Sequence, residues 1–152
     1  MKRAFYLLSI VVFAAISCKT EKKISPAPGR FTLSEVWRTD TVLMTPESVI
    51  FDDERKVLYV TNLNLEPRKN DGNGFISILS TEGKILNLRW IEGLSSPKGM
   101  AIKGDTLFAA DVDELVIMDI NKGEIIKKIP IPGAGMLNDL TSDEKGTIYI
   151  SD

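Results

Sequence analysis

A pair of adjacent strand-like segments recurs three times along this chain, and the recurrence restricts its fold more than any other feature. Pro46–Asp52 is followed by Val57–Asn62, Pro97–Lys103 by Thr106–Asp111, and residues 137–143 by residues 147–152. Leu58 and Leu107 stand 49 residues apart, and Leu107 and Ile148 stand 41 apart. Periods of this size belong to the blades of a propeller. Two more strand-like segments complete the first unit (74–80 and 84–90) and two complete the second (114–120 and 124–131). Four antiparallel strands per unit is the strand count of a blade. The connections 53–56, 81–83, 121–123 and 143–146 are polar and mostly carry glycine, as hairpin turns require. Inner segments such as Leu107-Phe108-Ala109-Ala110 are apolar on both faces, which suits a sheet sandwiched between two neighbours. No segment after Cys18 reads as a helix.

The expected fold class is therefore all-β, a β-propeller of four-stranded antiparallel blades over residues 31–152, with blades at about 46–93, 97–131 and 137–152. A ring of six such blades needs about 250 residues, so the chain is expected to supply about two and a half blades of one. Residues 31–38 read as an extra strand in front of the first blade, placed to join the last blade and latch the circle. Closure of three units on themselves, or completion of one ring by two chains, stays open at this level.

The amino terminus reads as a targeting segment, 1–17. Lys2 and Arg3 precede an apolar run from Phe5 to Ala15 broken only by Ser9, too short for the roughly 20 apolar residues of a bilayer span. Ala15-Ile16-Ser17-Cys18 resembles a bacterial lipobox, which makes Cys18 the expected lipidation site and the lipid anchor the expected contact with the membrane. An ordinary secretory signal is the other reading, and either one exports the protein, to the periplasm or the cell surface of a bacterium. Residues 18–30 carry lysine, proline and glycine with little apolar content, as a tether would. Cys18 is the single cysteine, so no disulfide forms within the chain. With 19 basic and 21 acidic residues and no basic run, nucleic acid is not an expected partner.

The second residue of each unit is polar: Glu47, Lys98 and Asn138. Repeat symmetry places them at one height on successive innermost strands, where a propeller presents side chains to its central channel. A hard cation takes six to eight oxygen ligands, and Glu47 and Asn138 supply at most three. The plain structural alternative is that Glu47 pairs with Lys98 across neighbouring blades and Asn138 caps a turn. On Pro46-Glu47-Ser48-Val49, Leu58-Tyr59-Val60-Thr61-Asn62 and the run from Asn138 to Gly146, the chain resembles the senescence-marker-protein/gluconolactonase family of six-bladed propellers, and NHL-type propellers share much of that pattern. The resemblance implies a divalent cation, usually calcium, held in the channel, and metal-assisted hydrolysis of sugar lactones or related esters. It implies Glu47 as a metal ligand and Asn138 as a substrate-facing residue, with the remaining ligands beyond Asp152. Members often carry arginine two residues before that asparagine, where this chain has Met136. Two functions from different classes follow: a metal-dependent lactonase or esterase, and a non-catalytic propeller that presents its channel face to a small-molecule ligand, glycan or protein partner at the cell surface.

Other motifs carry less. Asn62, Asp111 and Asp152 end the second strand of each unit and read as Asx turns that shape the blade. Residues 70–74 fail as a calcium loop, since aligning Gly74 with the loop glycine puts Lys69 at the first ligand position and Ser80 where a bidentate glutamate belongs. The chain has no histidine, which excludes Ser-His-Asp catalysis and His-ligated zinc from this stretch. Gly133-Ala134-Gly135 lacks the lysine and hydroxyl residue of a phosphate loop. Alternation along a strand would point Asp139 away from the side that Asn138 faces. Trp37 and Trp90 read as packing residues.

Overall fold

A computed structural model describes residues 32–152, so the targeting segment, Cys18 and the tether lie outside the described residues. Residues Glu35–Asp152 form one compact unit, which holds every described strand. This unit is all-β, with ten strands and no helix among the described residues. Blade 1 contains β1 (Pro46–Asp52), β2 (Val57–Asn62), β3 (Gly74–Ser80) and β4 (Ile85–Leu94). Blade 2 contains β5 (Pro97–Lys103), β6 (Thr106–Asp111), β7 (Glu114–Asp119) and β8 (Glu124–Pro130). Each is a four-stranded antiparallel sheet whose strands lie in chain order. The third repeat contributes a two-stranded ladder, β9 (Leu140–Ser142) with β10 (Ile148–Ile150). The innermost strands neighbour one another, β1 beside β5 and β5 beside β9. This is a partial β-propeller.

Alternation along the inner strands of blade 2 explains why their central residues are apolar on both faces. Leu107, Ala109, Val116 and Met118 pack with Tyr59, Ile76, Ile91 and Leu94 of blade 1. Their neighbours Ala101, Ala110 and Leu115 turn the other way and pack with Leu137 and Leu140 of the third repeat. Side chains on a strand alternate between faces, so a sheet covered on both sides must be apolar at every position. Each apolar side chain buried in these layers contributes about 1.5–3 kcal/mol relative to exposure.

Two boundaries differ from expectation. β4 continues to Leu94, beyond the expected end at Trp90, with shifted register against β3. Bulges there keep Ile91 and Leu94 directed into the core between the blades, where both are buried. The first three residues of the third repeat, 137–139, lie outside β9. Their backbone binds blade 2 instead: the Leu137 amide donates to the Val112 carbonyl at 2.7 Å, and the Gly99 amide donates to the Asn138 carbonyl at 2.9 Å. Gly99 permits that approach, because a Cβ there would stand 2.6 Å from Asp139 Cα.

The strand expected over 31–38 is absent among the described residues of that range. A ladder strand exists only where a neighbouring edge takes its backbone hydrogen bonds, and no described strand pairs with this segment. Trp37 nevertheless docks on blade 1, donating from Nε1 to the Thr81 carbonyl at 2.8 Å. Its ring lies over Gly83, where an added Cβ would stand 2.6 Å from Trp37 Cδ2. Trp90 of β4 covers Gly123 in the matching turn of blade 2 in the same manner, with a Cβ at Gly123 falling 2.7 Å from its Nε1.

Candidate functional site

The residue at the end of the second strand of blades 1 and 2, and its repeat equivalent Asp152 two residues beyond β10, perform one task three times. Asn62 Oδ1 accepts from the Met44 amide at 2.9 Å. The Asp111 carboxylate accepts from the Ser95 amide at 2.8 Å and from the Ser96 amide. The Asp152 carboxylate accepts from the Gly135 amide at 3.0 Å and the Met136 amide at 2.6 Å. These are not the local Asx turns expected from sequence. The register that sets Pro46 opposite Asn62 and Pro97 opposite Asp111 brings the segment entering each repeat alongside the end of its second strand. The side chain therefore clamps the link into its blade and fixes where the next residues, Glu47, Lys98 and Asn138, begin. Asp111 is fully buried, and burial pushes its carboxyl up against the opposing pull of the two amides.

Glu47, Lys98 and Asn138 are brought to one end of three neighbouring innermost segments, yet their environments differ. Glu47 is exposed, and its carboxylate takes no hydrogen bond within the described residues. Partial desolvation raises its pKa; Lys98 opposes that rise and Asp139 adds to it. Lys98 is 2% exposed, and its Nζ donates to the Ser96 carbonyl at 3.1 Å. Burial lowers the pKa of its ammonium, Asp111 and Glu47 oppose the shift, and Arg68 adds to it. No Glu47–Lys98 ion pair within 4.0 Å forms among the described residues, so the structural alternative of a cross-blade salt bridge is not realised. The Asn138 side chain is likewise uncommitted to a turn: it is the backbone amide of Asn138 that donates to the Ser151 carbonyl, and its backbone carbonyl that takes the Gly99 amide.

Asp139 departs from the alternation argument. It stands outside β9, so strand alternation does not govern it, and its charge acts on Glu47. One of its oxygens accepts the Leu140 amide at 2.8 Å. The oxygen donors Glu47, Asn138 and Asp139 suit a hard cation in kind. No group of three acidic, histidine or cysteine side chains close enough to hold a metal occurs among the described residues.

Sequence reading missed Arg68. It belongs to the β2–β3 loop, residues 63–73, whereas the matching loop of blade 2 is only residues 112 and 113. The long loop reaches across its neighbours. Asn70 Nδ2 donates to Asp113 at 3.1 Å, the Gly72 amide donates to Ser95 Oγ at 3.2 Å, and Arg68 Nε lies 3.3 Å from Met136 Sδ. The signal available in the sequence was the unequal spacing of the two repeats. Within the same loop the 70–74 stretch is a turn, with the Asn73 amide donating to Asp71 at 3.2 Å. A cavity of about 320 Å³ opens beside the third repeat, lined by Asp139, Leu140, Thr141, Tyr149, Ile150 and Ser151; Glu47 is not among its lining residues.

The fold and this arrangement define a class: a β-propeller with polar residues grouped where its innermost strands begin. Solved structures agree on the fold. A chain of a nidogen/laminin complex matches with TM-score 0.56 and 21% identity over 74% of this chain and 41% of its own. Hydrazine synthase of Kuenenia stuttgartiensis matches with TM-score 0.54 and 15% identity over 80% of this chain and 32% of that one. A luciferin-regenerating enzyme matches with TM-score 0.50 and 13% identity over 69% and 38%. The chain thus spans about a third to two fifths of the length of these three proteins. No protein-family model matches it, and no curated protein sequence does.

Proposed function

We propose that the chain forms part of an exported, lipid-anchored propeller of the gluconolactonase-like kind, a metal-dependent lactone or ester hydrolase whose site opens where Glu47, Asn138 and Asp139 meet. The observation that carries this reading is that Glu47 and the side-chain amide of Asn138 are grouped at one end of neighbouring innermost segments and take no hydrogen bond among the described residues. Both side chains are exposed, so their oxygens stay accessible to a ligand. Glu47 and Asn138 would hold a calcium-like cation, with Asp139 beside them. Such a cation supplies Lewis acidity toward a carbonyl oxygen. The residues themselves orient the ester through Asn138 and keep negative charge at Glu47 facing the rim. Cys18 would tether the protein to the membrane through lipid.

The test is calorimetric titration of the full-length protein with calcium, paired with hydrolysis of glucono-δ-lactone, in wild type and Glu47→Gln. Calcium binding and turnover that both disappear in Glu47→Gln support the reading, and binding that survives the substitution refutes it. A second reading, a non-catalytic propeller that binds a ligand, glycan or protein at this face, is favoured by the ligand count, because these residues alone supply fewer oxygens than the six to eight of a full cage. Calcium-independent binding with no turnover would select it.

A further inference from the structure

We infer that a second copy of this chain docks head to tail on the first, its blade 1 seating on the open face of the third repeat, and that two such junctions close a ring of two copies. The inference goes beyond the hydrolase reading and does not depend on it.

The ground for it is one junction that occurs twice within the chain. Side chains alternate along a strand, so strand register gives each repeat a leading and a trailing face. The leading faces carry the paired residues Ile50 and Tyr59 in blade 1, Ala101 and Phe108 in blade 2, and Thr141 and Tyr149 in the third repeat. The trailing faces carry Val49 and Phe51 in blade 1, Met100 and Ile102 in blade 2, and Leu140 in the third repeat. Ile50 and Tyr59 pack with Met100 and Ile102, and Ala101 and Phe108 pack with Leu140. Leading face therefore meets trailing face at both internal junctions. Two halves of a third such junction are left over. Val49 is 61% exposed where its equivalent Met100 is 6% exposed, and Tyr149 is 56% exposed where its equivalent Tyr59 is 1% exposed. Phe51 is open beside Val49, and the cavity beside the third repeat has Thr141 and Tyr149 in its wall. Exposed apolar patches of this kind mark association surfaces.

The segment before β1 shows that blade 1 receives a blade on its trailing side. Trp90 of β4 covers Gly123 of the blade that follows, and Trp37 covers Gly83 in the same manner. The Met44 amide then reaches Asn62 as the Ser95 and Ser96 amides reach Asp111. Residues 37–44 thus stand where the fourth strand of a preceding blade would end. Cations also cross both internal junctions between turns, Arg55 donating to Asp105 and Lys103 to the Glu144 carbonyl at 2.7 Å. Lys145, in the corresponding turn of the third repeat, is exposed and makes no ion pair among the described residues, which leaves it to cross the third junction. Within one copy the leftover faces stay apart, since β5 separates β1 from β9. A second copy supplies each with the face that the internal junctions already use. Unlike faces make a closed ring when the rotation between copies closes, and two copies hold six repeats, within the range of about four to eight blades in propellers. Glu47 of one copy then follows Asn138 of the other around the channel, so both copies contribute to the site.

The experiment is analytical ultracentrifugation of the full-length protein over a range of concentrations, in wild type and in Val49→Glu, Tyr149→Glu and Ile126→Glu. Wild type is expected to sediment as a dimer. Val49→Glu and Tyr149→Glu should each weaken the dimer at least about tenfold, the scale of losing one buried anchor. Ile126→Glu, at a similarly exposed position on β8 of the middle blade, should dimerise as wild type does. All three positions are on the surface, and circular dichroism confirms that the variants are folded. An equimolar mixture of Val49→Glu and Tyr149→Glu can form one junction with both faces intact, so association should return in part. A monomeric wild type, a dimer that survives either substitution, or a mixture no more associated than its components would overturn the inference. Assemblies that keep growing with concentration would overturn it as well, because two copies would then not close.

Discussion

Blades 1 and 2 are built from the same four-stranded plan, but their innermost strands live in different surroundings. β1 is mostly exposed along its length, whereas β5 is buried over its first five residues. The cause is position: β5 lies between β1 and β9, and β1 has a described neighbour on one side only. The consequence is that one repeat position holds an exposed carboxylate in blade 1, Glu47, and a buried ammonium in blade 2, Lys98. Repeat symmetry assigns equivalent places on a strand, but burial and therefore chemistry follow from what packs on each face. The two loops after the second strands teach the same lesson. Residues 112 and 113 close a tight hairpin, while 63–73 in the equivalent place cross to other blades and deliver Arg68.

The two tryptophans give the largest expected contrast. Trp90 is half-buried, stacks on Tyr59 with ring centroids 4.8 Å apart, and covers Gly123. Trp37, 39% exposed, covers Gly83 with no strand behind it. Trp90→Ala should cost about 3 kcal/mol, at the lower end for a core tryptophan, and Trp37→Ala about 1 kcal/mol. Urea denaturation followed by circular dichroism measures both; equal losses would mean that the segment before blade 1 is held as firmly as an outer strand.

The clamps come next. Asp111→Ala leaves the Ser95 and Ser96 amides unsatisfied in a buried link and should cost about 2 kcal/mol. The same change at the exposed Asp152 should cost less, since water can take over its two amides. Comparing the urea midpoints of the two variants tests whether burial, and not the hydrogen bonds alone, makes the clamp strong.

The smallest effect is a pH dependence. The pKa of Glu47 is raised in the folded protein, so the folded state holds its proton to higher pH than the unfolded chain does. Stability should therefore fall slightly as pH rises through the window from the ordinary glutamate value, about 4.3, up to the raised one. Glu47→Gln removes the proton and should flatten the curve there. Thermal melts of both proteins between about pH 4 and pH 7 check it, and parallel curves would place Glu47 in a fully water-like setting.

Much of the fold was legible because it rests on local and periodic signals. Strand alternation, glycine-bearing turns and the 49- and 41-residue spacings identified the strands of both blades, and apolar runs on both faces announced a sandwiched sheet. The site was legible only as a set of equivalent positions. Glu47, Lys98 and Asn138 could be aligned by repeat, but nothing in a one-dimensional pattern states which of them is buried, or that Lys98 makes no ion pair within 4.0 Å among the described residues. Asn62, Asp111 and Asp152 were visible as recurring residues, while their partners, 15 to 18 positions upstream, depended on the register of the paired strands.

By itself the sequence determined the repeating unit, since side-chain alternation and turn chemistry act over a few residues and favour the same strands wherever they occur. Only the tertiary structure decided what each copy became. Contact with β9 buried β5 and Lys98 with it, and Gly99 admitted Asp139 to the neighbourhood of Glu47. The loop 63–73 carries Arg68 across to Met136, a contact between segments far apart in the chain. Burial and electrostatic environment are properties of what surrounds a residue, and those surroundings are assembled from segments far apart in the chain.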